Sequence, residues 1–137
     1  MILLDTHVLL WFVQGNEKLG TSSRDRVQHA LNQGKASISA ISLWEISMLV
    51  DRRRLVLGRS TQNWVQRISG KGGFLVAPIT AEIAMTGGQL PGDINGDPAD
   101  RLIIATARTN NCPLLTADRN ILAYGATGHI AMIDARN

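Results

Sequence analysis

Five short runs that suit strands, most of them apolar, punctuate this chain, and the segments between them carry apolar residues at helical spacing. The runs are Met1-Ile2-Leu3-Leu4, Ala36-Ser37-Ile38-Ser39, Phe74-Leu75-Val76-Ala77-Pro78-Ile79, Pro113-Leu114-Leu115-Thr116 and His129-Ile130-Ala131-Met132-Ile133. Stretches this short and continuous fit strands covered on both faces, and strands that alternate with helices form a parallel sheet between two layers of helices. The expected fold class is α/β, a three-layer α/β/α sandwich with a central parallel sheet. Pro78 puts the third run at a strand end or a sheet edge. Helices are expected from Val8 to Val13, closed by Gly15, and after the caps offered by Gly20 to Ser23 as far as Gly34. Further helices are expected from Ser42 to about Arg53, from Thr61 to Ser69, from Thr80 to Gly87-Gly88 and from Asp97-Pro98 onward.

At 137 residues the chain is expected to be one domain over 1–137, with enough length for a sizeable core. Hydrophobic residues make up 45% and charged residues 18%, which excludes a disordered chain. Cys112 is the only cysteine, so no intrachain disulfide can form; this fits a reducing cytoplasm, the expected location. No apolar stretch approaches the ~20 residues of a membrane span, and the first apolar run is broken by Asp5 and His7 before it reaches signal-peptide length. Fourteen Lys and Arg against eleven Asp and Glu give a formal charge of +3, which permits an anionic partner without requiring one. The distribution says more: Arg52, Arg53, Arg54 and Arg59 lie together, whereas Asp93, Asp97, Asp100 and Asp118 dominate the later part. A basic rim beside an acidic pocket suits a polyanion held over a metal site, while a run such as Arg52 to Arg54 also suits a solvated helix end.

The acids gain meaning from their places. In Asp97-Pro98-Ala99-Asp100-Arg101-Leu102-Ile103-Ile104-Ala105-Thr106-Ala107, Pro98 fits the first helical position and Asp97 the N-cap. Asp100 then shares one helical face with Ile103, Ile104 and Ala107, so a carboxylate continues an otherwise buried stripe. Asp5 follows the first strand, Asp118 follows the fourth, and Glu45 and Asp100 sit near the starts of helices. In an open parallel sheet ligands bind beyond the carboxyl ends of the strands, so four acids from separate parts of the chain are expected at one edge. Such a cluster raises the pKa values of its own members unless a cation compensates, and hard oxygen donors suit Mg²⁺ or Mn²⁺ better than zinc. A bound divalent ion activates water and stabilises charge on a phosphodiester, which is nuclease chemistry. On the sequence alone each acid also has a structural use: Asp5 and Asp118 as caps, Glu45 in a capping box with Ser42, and Asp100 against the helix dipole.

Four segments together carry a family resemblance: Leu3-Leu4-Asp5-Thr6-His7, Ser42-Leu43-Trp44-Glu45-Ile46, the Asp97 to Ala105 stretch, and Leu115-Thr116-Ala117-Asp118. In this order and spacing, over nearly the whole chain, they resemble a PIN-domain protein of the VapC toxin type. The resemblance implies a metal-dependent endoribonuclease, inhibited by a cognate antitoxin and commonly homodimeric or part of a larger toxin-antitoxin assembly. It implies Asp5, Glu45, Asp100 and Asp118 as catalytic metal ligands, with Thr116 helping to hold the site and Asp97 and Arg101 in supporting or substrate contacts; apart from the resemblance, Thr6 is expected to support the acids beside Asp5, and Arg52 and Arg53 of the basic cluster are expected to contact substrate. Ala99 and Gly96 depart from the family pattern, where position 99 often carries a bulky aromatic residue; the departure touches the substrate surface and leaves the four acids intact.

Single-stranded or loop RNA is the expected substrate, since a sheet edge seats an exposed phosphodiester more readily than the narrow groove of a duplex. Trp11 and Trp44 lie in apolar stripes and are expected in the core, which leaves Trp64 as the freer aromatic for base stacking. His7, one turn into an apolar segment, is expected to be a satisfied, partly buried residue rather than a general acid. Two other functions share this fold: a non-catalytic module binding RNA or protein, whose acids are caps, and a PIN nuclease that processes cellular RNA without an antitoxin.

Overall fold

A computed structural model describes residues 1–94 and 96–137. The strands β1 (Ile2–Leu4), β2 (Ala36–Ser39), β3 (Leu75–Ala77), β4 (Leu114–Thr116) and β5 (Met132–Asp134) form one sheet in the order β3-β2-β1-β4-β5. Every neighbouring pair is parallel. The helices are α1 (Thr6–Gln14), α2 (Thr21–Asn32), α3 (Ala40–Asp51), α4 (Thr61–Ser69), α5 (Ala81–Gly88), α6 (Pro98–Thr109) and α7 (Arg119–Gly125).

Alternation along the strands divides the core in two. Ile2 and Leu4 of β1 and Leu115 of β4 pack with Val8 and Leu9 of α1, Val27 of α2, Ile46 of α3, and Trp64 and Ile68 of α4. Leu3 and Leu114 point the other way, into Ile83 of α5, Ile103 and Ile104 of α6, and Ile121 of α7. Residues one apart on a strand face opposite sides, so β1 and β4 feed both cores, and all their residues are apolar except Thr116 at the site end of β4. The expected α/β/α sandwich is the observed one. Helix α3 touches both layers, since Leu43 and Ile46 join the first core and Ile41 the second. Gly15 ends α1 with φ of 65°, a left-handed turn that suits glycine. Gly87 lets α5 approach α6 closely, because a Cβ there would lie 3.2 Å from a Leu102 methyl carbon.

Three boundaries depart from expectation. Helix α1 begins at Thr6 because Asp5 caps it, its Oδ1 accepting from the Thr6 amide at 2.8 Å. Helix α3 begins at Ala40, capped by Ser39, so Ser42 lies inside the helix and is no N-cap for Glu45. The last strand starts at Met132 rather than His129: the His129 carbonyl accepts from the Arg108 guanidinium, and the ladder to β4 begins with Leu114 N donating to Ala131 O at 3.0 Å. Strand β3 stands at the sheet edge, as Pro78 just beyond it suggested. From β1 the sheet continues through β2 to β3 on one side and through β4 to β5 on the other, so the strand order reverses between β1 and β4. In open parallel sheets this point, at the carboxyl ends of the strands, is where a binding crevice lies.

Candidate active site

Asp5 leaves β1 on one side of that crevice, and Thr116 ends β4 on the other. Asp5 is 3% exposed, yet each carboxylate oxygen has a partner: Oδ1 accepts from Thr6 N, and Oδ2 accepts from Thr116 Oγ1 at 2.7 Å. Thr116 Oγ1 in turn accepts from Asp118 N at 3.0 Å, so one hydroxyl joins the residues that follow β1 and β4. Thr6 does the same for α3. Its Oγ1 lies 2.6 Å from Glu45 Oε1 and 2.8 Å from Ser42 Oγ. A hydroxyl has one proton; the carboxylate takes it, and the buried Ser42 hydroxyl donates to Thr6.

The remaining acids arrive on helix termini. Asp97 caps α6, its Oδ1 accepting from Asp100 N at 2.9 Å, and this turn presents Asp100 from the first turn of the helix. Asp118 caps α7 through Oδ1, which accepts from Asn120 N and Ile121 N. The helix starts draw negative charge for local reasons, through orphan amides and the macrodipole, and thereby bring carboxylates to the sheet edge.

The acids affect one another. Burial and then the charges of Asp97, Asp5, Asp118 and Glu45 push the Asp100 carboxyl up from 3.8 to about 7. Glu45 is also raised, because burial and the charges of Asp5 and Asp97 outweigh the hydrogen bond from Thr6. A site where burial and neighbouring charges raise two carboxyls above their ordinary range is short of positive charge. Among the described residues, no three His, Cys, Asp or Glu side chains form a ready coordination shell. The donor chemistry nevertheless fits a hard cation: carboxylate oxygens only, with neutral hydroxyls holding two of the acids in place.

A family model described as PIN domain matches residues 2–126. The chain belongs to the PIN-domain family. It is 32% identical over 123 residues to Ribonuclease VapC22 of Mycobacterium tuberculosis, covering 90% of this chain and 91% of that one. Among solved structures, VapBC2 from Rickettsia felis bound to a DNA fragment from their promoter is similar with a TM-score of 0.71 at 18% identity, over 97% of this chain and 98% of that one. A toxin-antitoxin complex from Klebsiella pneumoniae gives a TM-score of 0.65 at 18% identity, over 98% of each chain. At such identities the two structures speak for the fold alone.

Not every residue expected at the site of this PIN domain is there. Arg101, expected to contact substrate, clamps the backbone instead: Nε donates to Gly87 O at 2.9 Å, Nη1 to Ile94 O at 3.1 Å and Nη2 to Gly88 O at 3.5 Å. A guanidinium at the carbonyl end of α5 is well matched to the helix dipole, and it fixes the loop that leads to Asp97. Arg52 and Arg53 are exposed beyond the far end of α3, about 10 Å along the axis from Glu45. The tryptophans exchange roles. Trp64 is buried, because it and Ile68 form the inner stripe of α4. Trp44 is 57% exposed, because Ser42 and Ile46 take the inward positions of α3 and residue 44 falls on the opposite side. Trp11 is half-buried, edge-on to His7. Ser42 was the contributor that motif reading passed over; its signal was a small polar residue on the buried face one turn before Glu45.

Proposed function

We propose that this VapC-like PIN domain is a Mg²⁺- or Mn²⁺-dependent endoribonuclease acting as the toxin of a toxin-antitoxin pair. One observation carries the proposal: Asp5, Glu45, Asp100 and Asp118 converge at the edge where strand order reverses, and burial first, then the charges of Asp97 and the other three acids, hold the Asp100 carboxyl at about 7. These four would hold the ion. When bound, it supplies an activated water and neutralises charge on the phosphodiester undergoing attack. Thr6 and Thr116 orient Glu45 and Asp5, and Asp97 secures the turn that carries Asp100. Trp44, exposed beside Glu45, is the aromatic available to stack on an unpaired base.

RNA as substrate is supported by the 32% identity to a ribonuclease over nearly the full length of both chains. An antitoxin partner is supported by fold neighbours solved as toxin-antitoxin complexes. A homodimer, or a larger assembly with the antitoxin, belongs to the same proposal, and a monomeric mass in solution scattering contradicts that part of it. Purified protein with Mn²⁺ is expected to cut unpaired RNA and leave a duplex of the same sequence intact. A non-catalytic binding module is favoured by one observation, the capping roles of Asp97 and Asp118, and it predicts that both RNAs survive.

Arg52 and Arg53 are assigned to phosphates of the strand leaving the site. Replacing both with glutamine should flatten the dependence of log Kd on log salt by about 0.7 for each phosphate that the arginines neutralise. Measured on single-stranded RNA, an unchanged slope removes both residues from the footprint.

A further inference from the structure

We propose that His7 is a positioning residue that latches the turn carrying Asp118 to the helix capped by Asp5, and that it takes no part in proton transfer. This rests on the nuclease assignment above for its effect on cleavage, though not for the latch itself. His7 Nε2 accepts from the backbone amide of Ala117 at 3.0 Å, a bond between residues 110 apart in sequence. Ala117 lies between Thr116, which donates to Asp5, and Asp118, which donates its amide to Thr116. Besides the backbone bond from Asp5 N to Leu115 O, two side-chain ties therefore join the ends of β1 and β4: the Thr116 hydroxyl and the His7 ring beside it.

The hydrogen bond fixes the ring's proton. A nitrogen that accepts from an amide has none, so the hydrogen is on Nδ1. Nδ1 faces Asp5 Oδ2 at 3.7 Å, beyond hydrogen-bond length and within electrostatic reach. Trp11, one turn further along α1, stands edge-on to the imidazole with ring centres 4.9 Å apart and holds its plane. With Nε2 occupied by Ala117, that nitrogen cannot deliver a proton to a leaving group while the latch is closed. The chemistry needed at position 7 is acceptance of one hydrogen bond.

Glutamine can supply that acceptor through Oε1 but cannot exchange a proton near neutral pH, and leucine supplies neither. The test compares wild-type protein with His7→Gln and His7→Leu, each confirmed as folded by its thermal transition, through single-stranded RNA cleavage with Mn²⁺ and hydrogen exchange at the Ala117 amide. His7→Leu should lose about ten- to hundredfold in kcat, the usual effect of removing a group that orients metal ligands, with Ala117 exchanging rapidly. His7→Gln should restore most of the lost rate and the amide protection. Loss of cleavage in His7→Gln equal to that in His7→Leu, with Ala117 still protected, would overturn the assignment in favour of proton transfer by the imidazole. Full cleavage and full protection in His7→Leu would overturn it outright. Wild-type protein that cuts no RNA counts against the nuclease assignment, while the exchange of Ala117 in the variants still decides whether the latch exists.

Discussion

Asp100→Asn is expected to lose cleavage by on the order of a hundred- to a thousandfold while making the metal-free protein more stable. The two effects have one cause. Asp100 stands among Asp97, Asp5, Asp118 and Glu45, whose charges raise its carboxyl to about 7 after burial has begun the shift. Asparagine keeps the shape and removes the charge. The site then lacks an anionic oxygen for the cation that would stabilise charge developing in the reaction, a loss comparable to removing one preorganised electrostatic contact. The same change relieves repulsion worth about 1–3 kcal/mol at alkaline pH, after allowance for screening at a crevice open to water. Single-turnover cleavage and thermal melting in chelator measure the two sides. Wild-type cleavage in the variant would remove Asp100 from the chemistry, and a lower melting temperature would show that the acids do not repel one another in the fold.

The metal-free protein should also lose stability as pH rises, and added cation should restore it. Asp100 ionises near 3.8 in an unfolded chain and near 7 in the folded one. Between these values the folded state holds a proton that the unfolded state has released, so unfolding becomes easier with each step up in pH. The stability is fully present below about 4 and is lost as pH passes about 7; Glu45, shifted in the same direction, contributes with the same sign. A divalent ion binds the ionised acids, so its stabilising effect should be small at pH 5 and large at pH 8. Melting temperatures in chelator and in millimolar Mn²⁺ across this range test the linkage. A flat profile in chelator would contradict the shift at Asp100, and an equal gain from Mn²⁺ at both ends would place the ion elsewhere.

The sheet was legible because its signal is local. Runs such as Met1 to Leu4 and Pro113 to Leu115 are apolar at every position, as buried parallel strands favour, and Pro78 marked the edge strand. Asp100 was legible for a related reason: it interrupts a stripe whose other members, Ile103, Ile104 and Ala107, are buried. What the chain concealed depends on side-chain direction and tertiary partners. Trp44 and Trp64 both sit in apolar helices, and only the inward register of Ser42 and Ile46, or of Ile68, decides which indole meets water. Arg101 beside Asp100 looked like a phosphate contact, yet the carbonyls of Gly87 and Gly88 at the end of α5 and of Ile94 beyond it occupy the guanidinium, an approach that no periodicity encodes. The bond from Ala117 to His7 spans nearly the whole chain and has no sequence signature.

The most direct measurement is cleavage of a mixed single-stranded RNA panel by purified protein as isolated, after chelation, and after Mg²⁺ or Mn²⁺ is returned. A metal nuclease built on Asp5, Glu45, Asp100 and Asp118 cuts in the first and third conditions and stops in the second. Cutting that persists unchanged in chelator would contradict it, as would a folded protein that cuts nothing with either ion and gains no thermal stability from them; the second result would leave the four acids as helix caps and polar core.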